Sequence, residues 1–259
     1  MIHLDTEVCI GCGNCIPTCP ACGFSMNAES GKVQLAGPES FLCRECGHCV
    51  SVCPAAAVSL DNYAHVPIPP ETGIFAEDLR RLIMTRRSVR HFKPEPVARE
   101  TILQALDVAR YAPTGSNLQR IHWVCVDDPV ILKRLADQAA TWLMQSPFTR
   151  PAAVSYFSGI DRILRNAPTL LLAHAPNEYA LSPQDCAEAV AYLELLFHSQ
   201  GIGATWSGFI IMAMAAVPEM REMLGIPEDR NVYGGLLLGY ALEKFHSIPG
   251  RKPVYIEWV

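Results

Sequence analysis

Eight cysteines fall within the first 54 residues in two runs of the form C-x2-C-x2-C-x3-C-P. The first is Cys9, Cys12, Cys15 and Cys19 before Pro20; the second is Cys43, Cys46, Cys49 and Cys53 before Pro54. Thiolates are soft ligands suited to iron–sulfur clusters, and this spacing is one that holds four-iron cubanes. In that arrangement three cysteines at intervals of three wrap one cubane, and the fourth, ahead of proline, reaches across to the other. The spacing therefore predicts one [4Fe-4S] cluster on Cys9, Cys12, Cys15 and Cys53. A second is predicted on Cys43, Cys46, Cys49 and Cys19.

Other uses of these thiols fit less well. Structural zinc takes four ligands, and its usual spacings do not supply a third cysteine three residues on. A disulfide framework would belong to a secreted chain, whereas the first cysteine here comes at position 9 with no signal segment before it. Cys22 stands where the second run has Ala56, and reads as a small buried hydrophobe, with an alternative ligand as the lesser reading. Cys125 and Cys186 lie in apolar stretches and read as core. His48 reads as a solvated residue or one standing behind the ligands.

A second constellation begins at Thr85-Arg86-Arg87-Ser88-Val89-Arg90-His91-Phe92. An extended chain after Thr85 would put Arg86, Ser88 and Arg90 on one face. Two guanidinium groups and a hydroxyl there make an anion clamp, while a basic run at a helix end can equally satisfy the last carbonyls. Three further segments offer small residues or polar side chains: Ala112 to Gln119, Gly201 to Phe209, and Pro249 to Pro253. Each alone reads as an ordinary loop.

The elements that must carry these groups show in the apolar pattern. Residues 1–60 form an internal duplication. Residues 61–75, with Pro67, Pro69, Pro70 and Gly73, read as a stiff linker, and 76–259 as a second domain. Ala76 to Arg86 is helical by pattern, with Leu79, Leu82 and Ile83 on one face. Val97 to Arg110 is another helix. Ile121 to Val126 and Thr169 to Ala173 read as buried strands, and Val232 to Tyr240 as a further strand region. A long helix from Ser182 to Gln200 has Ser182 as its cap, Pro183 in its first turn, Asp185 at the capping-box position and Gly201 as its stop. Its apolar stripe is Cys186, Ala189, Val190, Leu193 and Phe197. Without a regular βαβ alternation, the chain reads as α+β rather than doubly wound.

At 259 residues and 50% hydrophobic, the chain can bury a sizeable core in two domains. Residues 1–70 carry two basic residues, Lys32 and Arg44, against six acidic ones, Asp5, Glu7, Glu29, Glu39, Glu45 and Asp61. Such an acidic module repels phosphate backbones, so no nucleic-acid partner is expected. The apolar stretch from Gly208 to Val217 is too short to span a bilayer, so no membrane segment is expected. Free thiolates suit a reducing cytoplasm poor in oxygen.

Taken in order, the segments after residue 75 resemble the nitroreductase family of flavin enzymes, and the first 60 residues are similar to two-cluster ferredoxins. The resemblance implies a ferredoxin–nitroreductase fusion, with a ferredoxin-like domain ahead of an FMN-binding α+β domain. It implies FMN contacts from Arg86, Arg87, Ser88 and Arg90. The family's Pro-Ser-Gly-type turn matches Pro113, Thr114 and Gly115, with Asn117 close behind. Backbone donors to the flavin's redox-active edge match Trp206, Ser207 and Gly208, and a C-terminal phosphate ligand matches Arg251. It further implies a homodimer with FMN at the subunit interface, so that the turn at Thr114 serves the partner's flavin. Some relatives have an acidic residue at the position of Ser207 and a Pro-Trp pair where this chain has Arg120-Ile121, which brings Arg120 near the flavin or the substrate. No G-x-G-x-x-G follows a strand; the family binds NAD(P)H directly over its flavin.

The expected activity joins the two halves. A low-potential donor such as ferredoxin would charge the clusters, these would relay to FMN, and FMN would reduce a small organic acceptor: a nitro compound, quinone, enone or similar electrophile. Two rivals are a non-catalytic electron-transfer flavoprotein serving a partner protein, and structural or oxygen-sensing clusters beside an FMN reduced by NAD(P)H. No side chain stands out as an obligatory proton donor, and Tyr156, His174 and His198 read as satisfied core or surface residues. Phe148 to Arg165 and Ile210 to Ala216, beside the flavin motifs, are expected to shape the pocket.

Overall fold

A computed structural model describes residues 1–37, 43–61, 68, 73 and 75–259. It divides the chain into two compact units: residues 1–73 together with 114–119, and residues 74–113 with 120–259. Of the expected linker at 61–75, all but Asp61, Ile68, Gly73 and Phe75 lie outside the described residues.

The first unit is built twice from one plan. Strand β1 (Ile2–Leu4), helix α1 (Cys15–Thr18) and the hairpin β2 (Phe24–Met26) and β3 (Val33–Leu35) precede α2 (His48–Val52) and β4 (Val58–Leu60). β1 pairs antiparallel with β4, and β2 with β3. The halves match bond for bond. Cys19 N–H donates to the Ile16 carbonyl at 3.3 Å, as Cys53 N–H does to Val50 at 3.4 Å. Cys22 and Ala56 both take left-handed backbone, at φ 52° and 51°. Gly13 and Gly47, each following the second cysteine of its run, sit at φ 72° and 74°, a conformation that costs glycine nothing. The apolar residues Phe24, Val33, Ala57 and Val58 form a small core with Cys9, Cys15 and Cys49.

The second unit centres on a four-stranded antiparallel sheet in the order β5-β6-β8-β7. Its strands are β5 (His122–Val126), β6 (Thr169–Pro176), β7 (Gly203–Trp206) and β8 (Arg230–Gly239). Leu170 and Leu172 pack in one apolar cluster and Leu171 and Ala173 in another, so period-2 alternation feeds a core on each face. Helices α4 (Arg99–Ala109) and α7 (Ser182–Ser199) contribute to the cluster around Leu171. Helices α5 (Pro129–Leu143), α6 (Arg150–Phe157), α8 (Gly208–Ala216) and α9 (Pro218–Glu222) contribute to the other. The α7 stripe expected from sequence is fully buried, from Cys186 to Phe197. Gly201, at φ 75°, ends the run.

Several expectations are corrected. Ser182 does not cap α7: it lies inside the helix and its hydroxyl donates to the Pro176 carbonyl at 2.8 Å, while Leu181 holds the cap position. Helix α3 (Ala76–Thr85) forms as expected, but none of its residues is buried, and Leu79 and Ile83 are about half exposed. Cys22 and Cys125 are exposed rather than buried; Cys186 is buried.

Candidate functional site

In the first unit, two voids are lined by four thiols each. One is bounded by Cys19, Cys43, Cys46 and Cys49; the other by Cys9, Cys12, Cys15 and Cys53. The fourth thiol of each run faces the void of the other run. Short helices position the thiols: α1 and α2 carry the buried Cys15 and Cys49, and the chain leaves each helix in extended backbone at the cysteine preceding proline. Among the described residues no three His, Cys, Asp or Glu side chains converge tightly enough to hold a single ion. Thiols standing around a void suit a multi-atom cluster better than one tetrahedral zinc.

Backbone amides point at the same sulfurs. Gly23 N–H donates to Cys19 Sγ at 3.3 Å, Ala57 N–H to Cys53 Sγ at 3.2 Å and Glu45 N–H to Cys43 Sγ at 3.4 Å. Amides of Gly11 and Val33 lower the Cys9 pKa. Burial acts the other way on Cys15, and pushes Cys49 up to about 11. Thiols raised in this way ionise more readily with a cation beside them, which the iron of a bound cluster would supply.

In the second unit, the 86–92 segment adds itself to the sheet. Ser88 bridges Ala204 of β7 in parallel, with Val89 N–H donating to the Ala204 carbonyl at 2.9 Å, and Phe92 bridges Ala241. Val89 and Phe92 are buried and Arg90 is exposed. Helix α7 pins the start of the segment. Thr85 Oγ1 lies 3.0 Å from His198 Nε2, and Arg86 Nη1 lies 2.9 Å from Glu194 Oε1.

The four residues that the resemblance implies as FMN contacts therefore differ in availability. Arg86 is held in an ion pair with Glu194. Arg87 folds back on the last turn of α3, donating to the carbonyls of Arg86 at 2.7 Å and Met84 at 3.3 Å. Ser88 is half-buried, and Arg90 points its charge outward.

Beside this segment β7 runs into α8. Trp206 is partly exposed, and its ring edge would lie 3.3 Å from a Cβ on Gly234. Ser207 is buried, donates its N–H to the Gly235 carbonyl at 3.0 Å, and leaves Oγ without a partner among the described residues. Gly208 opens α8, whose N-terminus has no side-chain cap, leaving first-turn N–H groups for another acceptor. The structure thus brings Arg86, Ser88 and Arg90 to the same sheet edge as Trp206, Ser207 and Gly208.

The remaining expected residues stand elsewhere. Thr114, Gly115 and Asn117 belong to a short turn grouped with the first unit, closed by Gln119 N–H on Thr114 Oγ1 at 3.2 Å. Arg251 lies in the exposed C-terminal segment, nine residues beyond the Leu242 amide that bonds the His91 carbonyl. Arg120 stacks its guanidinium 5.2 Å from the Tyr179 ring centroid.

The three considered proton donors are engaged. Tyr156 donates to Asp137 at 2.7 Å and is raised in pKa by burial and that carboxylate. His198 is held below its ordinary value by burial and then by Arg86 and Arg87. His174, buried against Arg230, is brought down to about 4 by desolvation first and that guanidinium second. Sequence reasoning passed over Arg162, Arg165 and Arg230, which lie in no motif.

Fold and site together define a redox protein of two units, one lined by cysteines and the other edged by arginines. The chain belongs to the nitroreductase family, which it matches over residues 83–240, with a 4Fe-4S dicluster domain over residues 8–58. An Archaeoglobus fulgidus relative described as an NADH dehydrogenase/NAD(P)H nitroreductase is 30% identical over 164 residues, 63% of this chain and 86% of that one. A Bacteroides fragilis nitroreductase solved with bound FMN superposes with a TM-score of 0.60 at 25% identity, covering 70% of this chain and 99% of that one. A Desulfitobacterium hafniense nitroreductase, at 24% identity and a TM-score of 0.61 over 71% of this chain and 100% of that one, shares the fold. The chain is an oxidoreductase of the nitroreductase type carrying an iron–sulfur module. Among the described residues no helix is long and apolar enough to cross a membrane.

Proposed function

We propose that this protein is an iron–sulfur flavoprotein of the cytoplasm that moves electrons from a low-potential donor, of the ferredoxin class, to a small organic acceptor such as a nitro compound, quinone or enone. The observation that carries this reading is the crossed set of eight thiols on the same chain as a nitroreductase domain. One [4Fe-4S] cluster is assigned to Cys9, Cys12, Cys15 and Cys53, the other to Cys43, Cys46, Cys49 and Cys19.

FMN is assigned to the edge where Arg86, Arg87, Ser88 and Arg90 meet Trp206, Ser207 and Gly208, with Arg251 as a further phosphate ligand. The Ser207 hydroxyl and Arg90, which have no partner among the described residues, and the start of α8 without a side-chain cap support that assignment. They match a planar group with polar edges and a negative tail. When bound, the clusters exchange electrons singly, while FMN stores two and can deliver them as a hydride. The residues named do the rest: Glu194 and His198 fix the start of the segment, Val89 and Phe92 anchor it in the core, and the α8 amides orient whatever accepts from them.

A homodimer is part of the proposal. Helix α3 exposes Leu79, Ile83 and Met84 together, an apolar face that a second copy would cover. Thr114, Gly115 and Asn117 are assigned to the partner's flavin.

Oxygen-free purification followed by iron, sulfide and flavin analysis tests the cofactors, with about eight irons and one FMN expected per chain. Turnover of nitroaromatics and quinones by ferredoxin- or dithionite-reduced protein tests the activity. Colourless protein, or a flavin reoxidised by another protein and by no small electrophile, would overturn it.

A further inference from the structure

The β2–β3 hairpin of the first unit lays a lysine against the start of the first cysteine run. Lys32 Nζ donates to the Thr6 carbonyl at 2.7 Å and to the Glu7 carbonyl at 3.4 Å. Both ends of this staple are fixed. Asp5 Oδ1 accepts from the amides of Glu7 at 2.9 Å and Val8 at 3.2 Å, and the Asp5 carbonyl accepts from Cys9 N–H at 3.1 Å. On the hairpin side, Asn27 Oδ1 accepts from the amides of Glu29 and Ser30 at 2.9 Å each, and Asn27 N–H donates to the Lys32 carbonyl at 2.8 Å. The turn also presses on the cysteine loop: a Cβ on Gly11 would collide with the Gly31 carbonyl and lie 3.8 Å from Lys32 Cα.

Lys32 is thereby held beside Cys9. Val33, the next residue, lines the same void as Cys9, and its amide, like that of Gly11, donates to the Cys9 sulfur. Lys32 is half-buried, and its hydrogen-bond partners are neutral carbonyls, which leave its charge uncancelled. Among the buried thiols of the two runs, Cys9 is held below its ordinary pKa by the Gly11 and Val33 amides and then by Lys32, whereas burial raises Cys15 and Cys49.

The twin corner is charged differently. β1 meets β4 as β3 meets β2, so Ile2 stands where Val33 does. Glu45, two residues after Cys43, stands where Gly11 does, and both have positive φ. The carboxylates of Glu45 and Asp61 lie 3.3 and 3.0 Å from a single amino group, that of Met1. Arg44 borders this second void but is exposed, where solvent screens its charge. Reduction of a four-iron cluster adds one electron and breaks no bond, so a positive charge held nearby favours the reduced form. We propose that Lys32 selectively raises the reduction potential of the cluster on Cys9, Cys12, Cys15 and Cys53. That cluster is the one assigned above from the crossed thiols, and the role of Lys32 rests on that assignment.

The test is a redox titration of anaerobic full-length holoprotein followed by electron paramagnetic resonance, with Cys12→Ser marking the signal that belongs to the first run. In Lys32→Met that signal should titrate at lower potential. At its wild-type midpoint the oxidised-to-reduced ratio should rise about threefold to tenfold, and the other signal should change by less than about twofold, as expected for one partly screened charge. Lys32→Arg should keep the wild-type potential. If Lys32→Met loses iron, Lys32→Gln, which keeps a donor for the Thr6 carbonyl, takes its place. An unchanged potential in a fully loaded neutral variant, an equal fall in both centres, or a fall in Lys32→Arg as large as in Lys32→Met overturns the proposal. Loss of this cluster from both neutral variants also overturns it, because the residue then serves only as a staple. If Cys12→Ser and Cys53→Ser alter different signals, the crossed assignment fails, while a Lys32 shift confined to the Cys12 signal leaves Lys32 in its role at a cluster with another fourth ligand. Protein that binds no iron overturns both.

Discussion

Val89 occupies the space that a side chain on Gly203 would need: a Cβ there would lie 2.8 Å from Val89 Cγ2 and 3.0 Å from its Cβ and Cγ1. The backbones are tied as closely, through the bond from Val89 N–H to the next residue, Ala204. Gly203→Ala should therefore push the 86–92 segment off β7, costing about 1–3 kcal/mol of stability and loosening FMN. Val89→Ala in the same chain should restore part of both. Denaturant unfolding and flavin retention on gel filtration check this; an alanine at 203 that changes neither would show that the segment is not seated here.

His174 should set part of the acid limit of stability. Its Nδ1 accepts from Arg230 Nε at 2.9 Å, and Arg230 also donates to the carbonyls of His174 and Arg120. The folded pKa of about 4 lies below the unfolded value near 6.5. As pH falls through 6.5 the unfolded chain takes up a proton that the folded one refuses. Stability is thus undiminished above about 6.5 and is lost down to about 4, by on the order of 3 kcal/mol in total. His174→Asn keeps an acceptor near Nδ1 without the titration, so its unfolding free energy should vary less over that pH range. An unchanged pH profile would count against this account.

Ser207→Ala separates cofactor binding from folding. The hydroxyl is buried without a partner, so flavin-free protein should be unaffected or gain up to about 1 kcal/mol. FMN affinity should fall about fivefold, as expected for a neutral hydrogen bond worth about 1 kcal/mol. Equal flavin affinity in the two proteins would place the isoalloxazine elsewhere.

Cysteine replacement tests the crossing of ligands. Cys53→Ser should perturb the cluster with Cys9, Cys12 and Cys15, although Cys53 lies in the second run, and Cys19→Ser the one with Cys43, Cys46 and Cys49. Electron paramagnetic resonance of the reduced protein should show the same centre altered by Cys53→Ser and Cys12→Ser, and the other by Cys19→Ser and Cys46→Ser. The opposite grouping would mean that each run closes on itself.

What was legible from sequence followed from strong local patterns. The cysteine spacing, the buried runs at Leu170 and Leu237 and the 3.6-residue stripe of α7 each over-determine one structure. Ser182 misled because a serine before proline satisfies the capping pattern, while the competing Pro176 carbonyl comes from the preceding strand and is invisible locally. The apolar stripe of α3 marks a helix but does not say what covers it, and here this chain leaves it exposed. Cys125 sits in an apolar run on β5, at the edge of the sheet, where one neighbouring strand is missing.

The mirrored halves of the first unit have a consequence for assembly. On the ligand assignment proposed above, each would lend its last thiol to its twin, so neither could complete a metal centre by itself. A chain severed between residues 20 and 42 would yield two pieces, each one sulfur short. Maturation would then wait until both halves have emerged, and oxidative damage at a single cysteine such as Cys53 would weaken a cubane whose other three attachments lie more than 30 positions upstream.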